Sequence, residues 1–286
     1  MMSVVGIGNG ASAIAERFGE HNQYNIYCLN SRVKKTSGKN YKLQAFENPE
    51  EYENNIPNLK RFFKDIDSHI QVFIMGSSLS SNYSLGILEQ IKDKKVDVFY
   101  VKPDTALLAE MPSKIEKVVG GILQEYARSG LLNSLTIVSN ESVERAMGDT
   151  VPIKNFYDSL NKTIVSAIHF INYFNHNEPE IGNVSRPQEI NRIRSIGFAT
   201  VEKLKENWFF DLDNPREICY YLCVNDKKLE SDGGLHKRIV ENLKKKNSNA
   251  YLRHSYAIYE TYHEQDFGLC VAHTNAIQTN TLDNLE

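Results

Sequence analysis

The sequence has no apolar run approaching the roughly 20 residues that cross a bilayer, so no membrane span is expected. It has only four cysteines, Cys28, Cys219, Cys223 and Cys270, scattered through apolar stretches. That spacing excludes a disulfide framework and predicts buried free thiols. It has no surplus of one charge: 33 Lys and Arg against 36 Asp and Glu give a formal net charge of -3, with both signs spread along the chain. This argues against the basic domain or stripe that nucleic-acid binding requires. The one clear basic run, Lys244-Lys245-Lys246, closes a predicted helix, where cations complement the dipole. His236, His254, His263 and His273 lack ligand spacing, so no metal site is expected and each is read as solvated or satisfied in the core. There is no Walker A motif and no G-x-S-x-G nucleophile elbow. No internal repeat or low-complexity tract occurs. The first residues enter an apolar strand without the pattern of a secretory signal, so the expected location is cytoplasmic.

What the sequence does have is a regular alternation. Short apolar runs, Ser3 to Gly8, Tyr24 to Leu29, Gln71 to Met75, Val96 to Val101 and Leu135 to Val138, read as strands. Between them lie helix-like segments at Ala11 to Phe18, Leu85 to Lys92 and Ser113 to Ser129, with a partly helical stretch from Asn48 to Phe63 that Pro57 interrupts. Apolar strands alternating with helices predict a doubly wound, Rossmann-like parallel sheet covered on both faces. A long helix follows from about Ile153 to Phe174, ended by Pro179, Gly182 and Pro187. Beyond it, Ser195 to Val201, Arg216 to Val224, Tyr251 to Tyr262 and Phe267 to His273 read as strands, and Leu235 to Lys246 as a helix. The expected organisation is an α/β domain over 1–152, a central helix over 153–177 and a smaller α+β domain over 178–286. An antiparallel pair at the end and a loose polar tail from Gln278 complete it.

Two loops follow strands where doubly wound folds bind ligands. The first is Gly6-Ile7-Gly8-Asn9-Gly10-Ala11-Ser12, whose glycines let backbone approach a phosphate at a helix N-terminus. Its spacing departs from G-x-G-x-x-G, and Asn30-Ser31-Arg32 stands where an acidic ribose ligand would close the second strand. Arg32 could suit a 2′-phosphate, which leaves an NADP-dependent oxidoreductase as one alternative. The second loop, Gly76-Ser77-Ser78-Leu79-Ser80-Ser81-Asn82, reads either as an anion site or as a polar loop that caps the next helix.

The order of these pieces resembles the tubulin/FtsZ superfamily over nearly the whole chain, to about Ile277. The family's first loop looks like Gly6 to Ala13, and its GGGTGTG phosphate signature falls on Gly76 to Asn82. Val101-Lys102-Pro103 resembles the strand ending in Lys-Pro. Leu135 to Asn140 resembles the strand leading to a guanine-contacting Asn, Phe156 the aromatic that opens the central helix, and Gly197 to Glu202 a GxAxGE-like strand. The resemblance implies cofactor-binding positions at Gly6, Gly8, Asn9, Gly10, Gly76, Ser77, Ser78, Ser81, Asn140 and Phe156.

The departures from the family pattern bear on chemistry. Of five signature glycines only Gly76 remains. Leu79 replaces a Thr, and Ser81 alone keeps a hydroxyl where the second Thr stood. The acidic residue that reads guanine falls on Leu160, beside Asp158 and Asn161. The catalytic N-x-D-x-x-D falls on Asn183, Ser185 and Gln188, with Glu180 and Glu189 nearby. Hydrolysis needs carboxylates there. The expectation is therefore a structural or assembly protein without catalytic residues or a resident cofactor. Its partners would be itself, as a head-to-tail oligomer or filament, or other structural proteins, and a phage or virion component is among the readings. The alternative keeps GTP or GDP with Mg in a slow filament-forming GTPase.

Overall fold

A computed structural model describes residues 1–148, 152–246 and 251–279. The amino-terminal half runs β1 (Met2–Ile7), α1 (Asn9–Arg17), β2 (Tyr24–Asn30), β3 (Asn40–Lys42), α2 (Pro49–Asn54), β4 (His69–Met75), α3 (Ser84–Glu89), β5 (Lys95–Lys102), α4 (Glu110–Arg128), β6 (Ser134–Ser139) and α5 (Asn140–Met147). The central helix α6 spans Phe156–Phe174. The carboxyl half runs β7 (Ile181–Asn183), β8 (Ile193–Ala199), β9 (Glu206–Trp208), β10 (Glu217–Asn225), α7 (Asp226–Ser231), α8 (Leu235–Lys246), β11 (Arg253–Thr261) and β12 (Phe267–Thr274).

All twelve strands form one sheet, in the order β3-β2-β1-β4-β5-β6-β8-β12-β10-β11-β7, with β9 pairing β8. The first six are parallel, in the doubly wound order that reverses between β1 and β4. The halves meet at β6 and β8 through only two register pairs, Leu135 with Ile193 and Thr136 with Arg194.

Strand alternation sorts the side chains between two cores. Val4 faces one layer with α1 and α6, whereas Val5 faces the other with α3 and α4. Leu160, Ile164, Ile168 and Ile171 lie buried at helical spacing on α6. The same helix carries its core onward to Tyr221, Tyr259 and Val271 of the carboxyl half. A third cluster sits on the opposite face, where α8 supplies Leu235, Ile239 and Leu243. Asn48 and Glu51 form a capping box with Pro49 in the first turn, so helix α2 begins there and only Pro49–Asn54 of the expected 48–63 stretch is α-helical.

Two expectations are corrected. The last strands do not pair with each other: β12 lies antiparallel between β8 and β10, and β11 pairs β10 in parallel. The connection through α7 and α8 is long enough for a parallel crossover, which leaves β12 to close the gap to β8. Gln278 is not loose. It is 0% exposed, its N–H donates to Gln124 Oε1 at 2.7 Å, and its own Oε1 accepts from Asp213 N–H at 2.6 Å. The remainder of the expected tail, 280–286, lies outside the described residues.

Candidate functional site

The reversal of strand order places the loops after β1 and β4 side by side. Gly8 N–H continues the ladder to Leu29 O at 2.7 Å, and Gly76 N–H to Val101 O at 2.8 Å. Helix α1 then opens with no side chain capping its first turn. A cleft of about 400 Å³ lies here, within the size range of small-molecule sites. Of the sequence-predicted residues, Gly8, Asn9, Ser77 and Ser78 line it together.

The other glycines serve packing. A Cβ on Gly6 would stand 2.5 Å from Ala11 O, so Gly6 lets α1 lie against β1. A Cβ on Gly76 would meet Tyr100 Oη at 2.8 Å and Pro103 Cδ at 3.0 Å. Gly10 abuts the Met75 side chain. Ser81 is buried and its hydroxyl donates to Ser78 O at 2.6 Å. Asn82 likewise donates to Leu79 O at 2.9 Å. Those polar groups hold the turn rather than face the cleft. Asn140 and Phe156 begin α5 and α6 and do not line it. Leu160 is wholly within the core, and Asp158 pairs with Arg17 of α1.

Ser80, which is not among the predicted binding residues, also lines the cleft. Gly8 has φ 92°, and a Cβ there would fall 2.2 Å from Ser80 Oγ. Ser80 in turn shares a 2.8 Å hydrogen bond with Ser78. The second loop therefore closes down on the first at the point where a glycine pair would leave room. Ser77 keeps a left-handed conformation, φ 65°, which a glycine adopts without strain. The outer wall comes from Leu43, Gln44, Ala45 and Tyr52, which belong to no recognisable motif. Asn9 and Ser31 bridge α1 to the end of β2 at 3.3 Å. Asn30 spends its side chain on its own turn, accepting from Arg32 and Val33 N–H.

No charged side chain lines this cleft among the described residues. Lys102 lies buried and paired with Glu116 of α4 at 3.4 Å. Burial pushes the Glu116 carboxyl above its ordinary range, against the opposing pull of Lys102.

The segment aligned with the catalytic loop lies elsewhere, at the amino ends of the strands. Asn183 pairs with Tyr256, Ser185 Oγ bonds Ser255 Oγ at 3.0 Å, and Gln188 N–H donates to Glu217 Oε1 at 2.8 Å. Glu217 is buried and also accepts from Asn191 at 3.0 Å and Arg253 at 2.9 Å. Glu180 and Glu189 are exposed. Among the described residues no cluster of three or more His, Cys, Asp or Glu could hold a metal, and no helix is long and apolar enough to cross a membrane.

Solved structures share this architecture. The GTPγS-form protofilament of TubZ from Bacillus thuringiensis serovar israelensis superposes with a TM-score of 0.75 at 12% identity, covering 98% of this chain and 88% of that one. The chain has the tubulin/FtsZ fold. An empty FtsZ dimer from M. jannaschii matches at TM-score 0.66 and 12% identity, over 96% of this chain and 88% of the FtsZ chain. CetZ from Methanosaeta thermophila matches at 0.67 and 12%, over 96% and 87%. No protein-family model and no curated protein matches this sequence.

Proposed function

We propose that this chain is an assembly protein that associates end to end with copies of itself and does not hydrolyse GTP. The observation that carries the reading is apolar surface at both poles. Asn172, near the end of α6, bonds Gln71 on β4 and Tyr24 on β2, so α6 ends at the strands' amino pole. Nineteen helical residues reach about 28 Å at 1.5 Å per residue, which brings the start of α6 to the carboxyl pole. Leu107 (82% exposed), Ile153 (95%) and Tyr157 stand at that carboxyl pole, and Tyr173 and Ile190 at the amino pole. Exposed large apolar side chains at both ends of the molecule suit contact with a copy above and a copy below. The protofilament form of the similar TubZ structure supports the same geometry.

Two features support the absence of turnover. The cleft offers a triphosphate no cationic side chain, and Ser80 fills the space over Gly8. Ser185 and Gln188 carry no charge and are tied to the carboxyl half. The test is sedimentation and light scattering with and without GTP and magnesium, alongside chromatography of small molecules released on denaturation. Assembly indifferent to nucleotide, with none released, is expected. Stoichiometric GTP or GDP with turnover would replace this reading with that of a slow filament GTPase. One observation favours that second reading: Glu180 and Glu189 are exposed, and Glu189 lies in the loop that enters β8 at the amino pole. Under it, replacing both with Gln abolishes turnover, and unchanged turnover would remove both residues from it.

A further inference from the structure

The open edge of the sheet at β3 carries two oppositely charged strips that leave each other alone. Residues 31–42 (SRVKKTSGKNYK) contain five cations, Arg32, Lys34, Lys35, Lys39 and Lys42, and no anion. All five are exposed. Residues 47–53 (ENPEEYE) contain four carboxylates, Glu47, Glu50, Glu51 and Glu53, and no cation, and Glu47, Glu50 and Glu53 are exposed. The strips are neighbours in space: Ser31, Leu43 and Tyr52 line one cleft, and Phe46 stacks edge-on against Tyr52 at 5.2 Å. Yet none of the ion pairs among the described residues involves either strip. Lys39 is engaged locally, bonding Asn25 at 2.6 Å and lying over the Tyr27 ring, and Glu51 caps its own helix.

Lysines on an edge strand by themselves discourage strand addition. A basic strip beside an acidic one has a different consequence. Such a surface complements its own copy under a two-fold rotation, because each partner's cations then meet the other's carboxylates twice. We infer that the β3 edge is a side-to-side contact with a second copy of this chain, arranged isologously and held by charge. The contact uses an edge of the sheet and not its poles, so it stands or falls independently of end-to-end association.

Charge-swapped pairs test it. Lys34→Glu with Lys35→Glu cuts the basic strip from five positive charges to a net of one, and Glu50→Lys with Glu53→Lys brings the acidic strip from four negative charges to neutrality, so only the mixed pair keeps one strongly attractive half of the contact. These four side chains are exposed, so thermal melts should match the parent. All measurements are made on a Leu107→Glu/Ile153→Glu parent, to remove polar-end contacts. The parent is expected to sediment as a dimer at about 50 mM salt and to weaken at least about tenfold at about 500 mM, as screening shortens. Each swapped variant alone is expected to be monomeric, and mixing the two in equal amounts is expected to restore a one-to-one dimer. A parent that is monomeric at low salt overturns the inference, as does a mixture that stays monomeric. Capture of duplex DNA by the parent, lost in Lys34→Glu/Lys35→Glu with no dimer in any sample, would assign the basic strip to a polyanion instead.

Discussion

Ser77 sits at φ 65° with a side chain, where a glycine would be at ease. A non-glycine residue in this region is strained by about 1–2 kcal/mol, while glycine loses about 0.5–1 kcal/mol in unfolded-state entropy. Ser77→Gly is therefore expected to stabilise the fold by about 0.5–1 kcal/mol, read from the midpoint of urea unfolding. Gly8→Ala is expected to do the reverse. It combines a positive φ of 92° with a Cβ placed 2.2 Å from Ser80 Oγ, and a loss of about 1–3 kcal/mol follows. The two variants separate backbone strain from side-chain crowding in one loop pair. At this scale the sequence was partly legible. The positions of Gly8, Asn9, Ser77 and Ser78 followed from loops after strands. Ser80 stood in the same run, but nothing in one dimension says which hydroxyl of four folds over a glycine of another loop.

Among the elements, the last part of the connection from α6 to β8 is anchored by the buried carboxylate of Glu217, which accepts from Gln188 and Asn191. Burial alone would raise the Glu217 pKa, but the Gln188 N–H, Arg253 and Asn191 outweigh it and hold the carboxyl below its ordinary range. Glu217→Gln keeps the shape and removes the charge from three donors. A loss of about 1–3 kcal/mol is expected, with faster proteolytic cutting between 185 and 191. Equal cutting rates in the two proteins would show that the loop is held by something else. Glu217 announces itself in the sequence as the acid that opens an apolar strand, EICYYLCVN. Long elements were legible because apolar spacing repeats within them, as on α6 and in β4 and β5. The three-residue strands β3, β7 and β9 are too short to show a period, and β12 reached its place between β8 and β10 through non-local pairing that periodicity does not encode.

For the whole molecule, end-to-end association predicts that Leu107→Glu/Ile153→Glu shifts the assembly threshold upward about tenfold or more in sedimentation, with an unchanged melt. Acid should also weaken the fold itself. Burial, with His21 stacked at 3.6 Å, lowers the His169 pKa to about 4, and burial beside Arg194 lowers that of His273 to about 3, from an ordinary 6.5. The folded state thus holds fewer protons than the unfolded chain below about pH 6.5, so stability is full above that value and falls as pH drops toward 4. The Asp97 carboxylate acts in the same direction lower down: burial opposes its charge, but Arg194 and bonds from His69, Ser134 and Asn133 win and depress its pKa. Thermal melts at pH 7 and 4.5 check the slope, and His169→Gln should flatten it. A slope unchanged in that variant would move the effect to other groups.

The four buried cysteines make the molecule its own stopwatch. Only a thiolate exposed to solvent reacts with an alkylating reagent, and burial raises every one of these pKa values, that of Cys28 to about 12. Reaction therefore records momentary opening. Cys28 reports on the amino half, and Cys219, Cys223 and Cys270 on the carboxyl half. Only two register pairs join the half-sheets at β6 and β8, but Ser139 N–H donates to Phe209 O, Arg194 bonds Thr136, Gln278 N–H donates to Gln124, and α6 packs against both halves, so whether the halves open in step is a question of kinetics. Mass spectrometry of alkylation over time would show one rate shared by all four thiols if the halves open together, and two rates divided between Cys28 and the other three if each half opens alone.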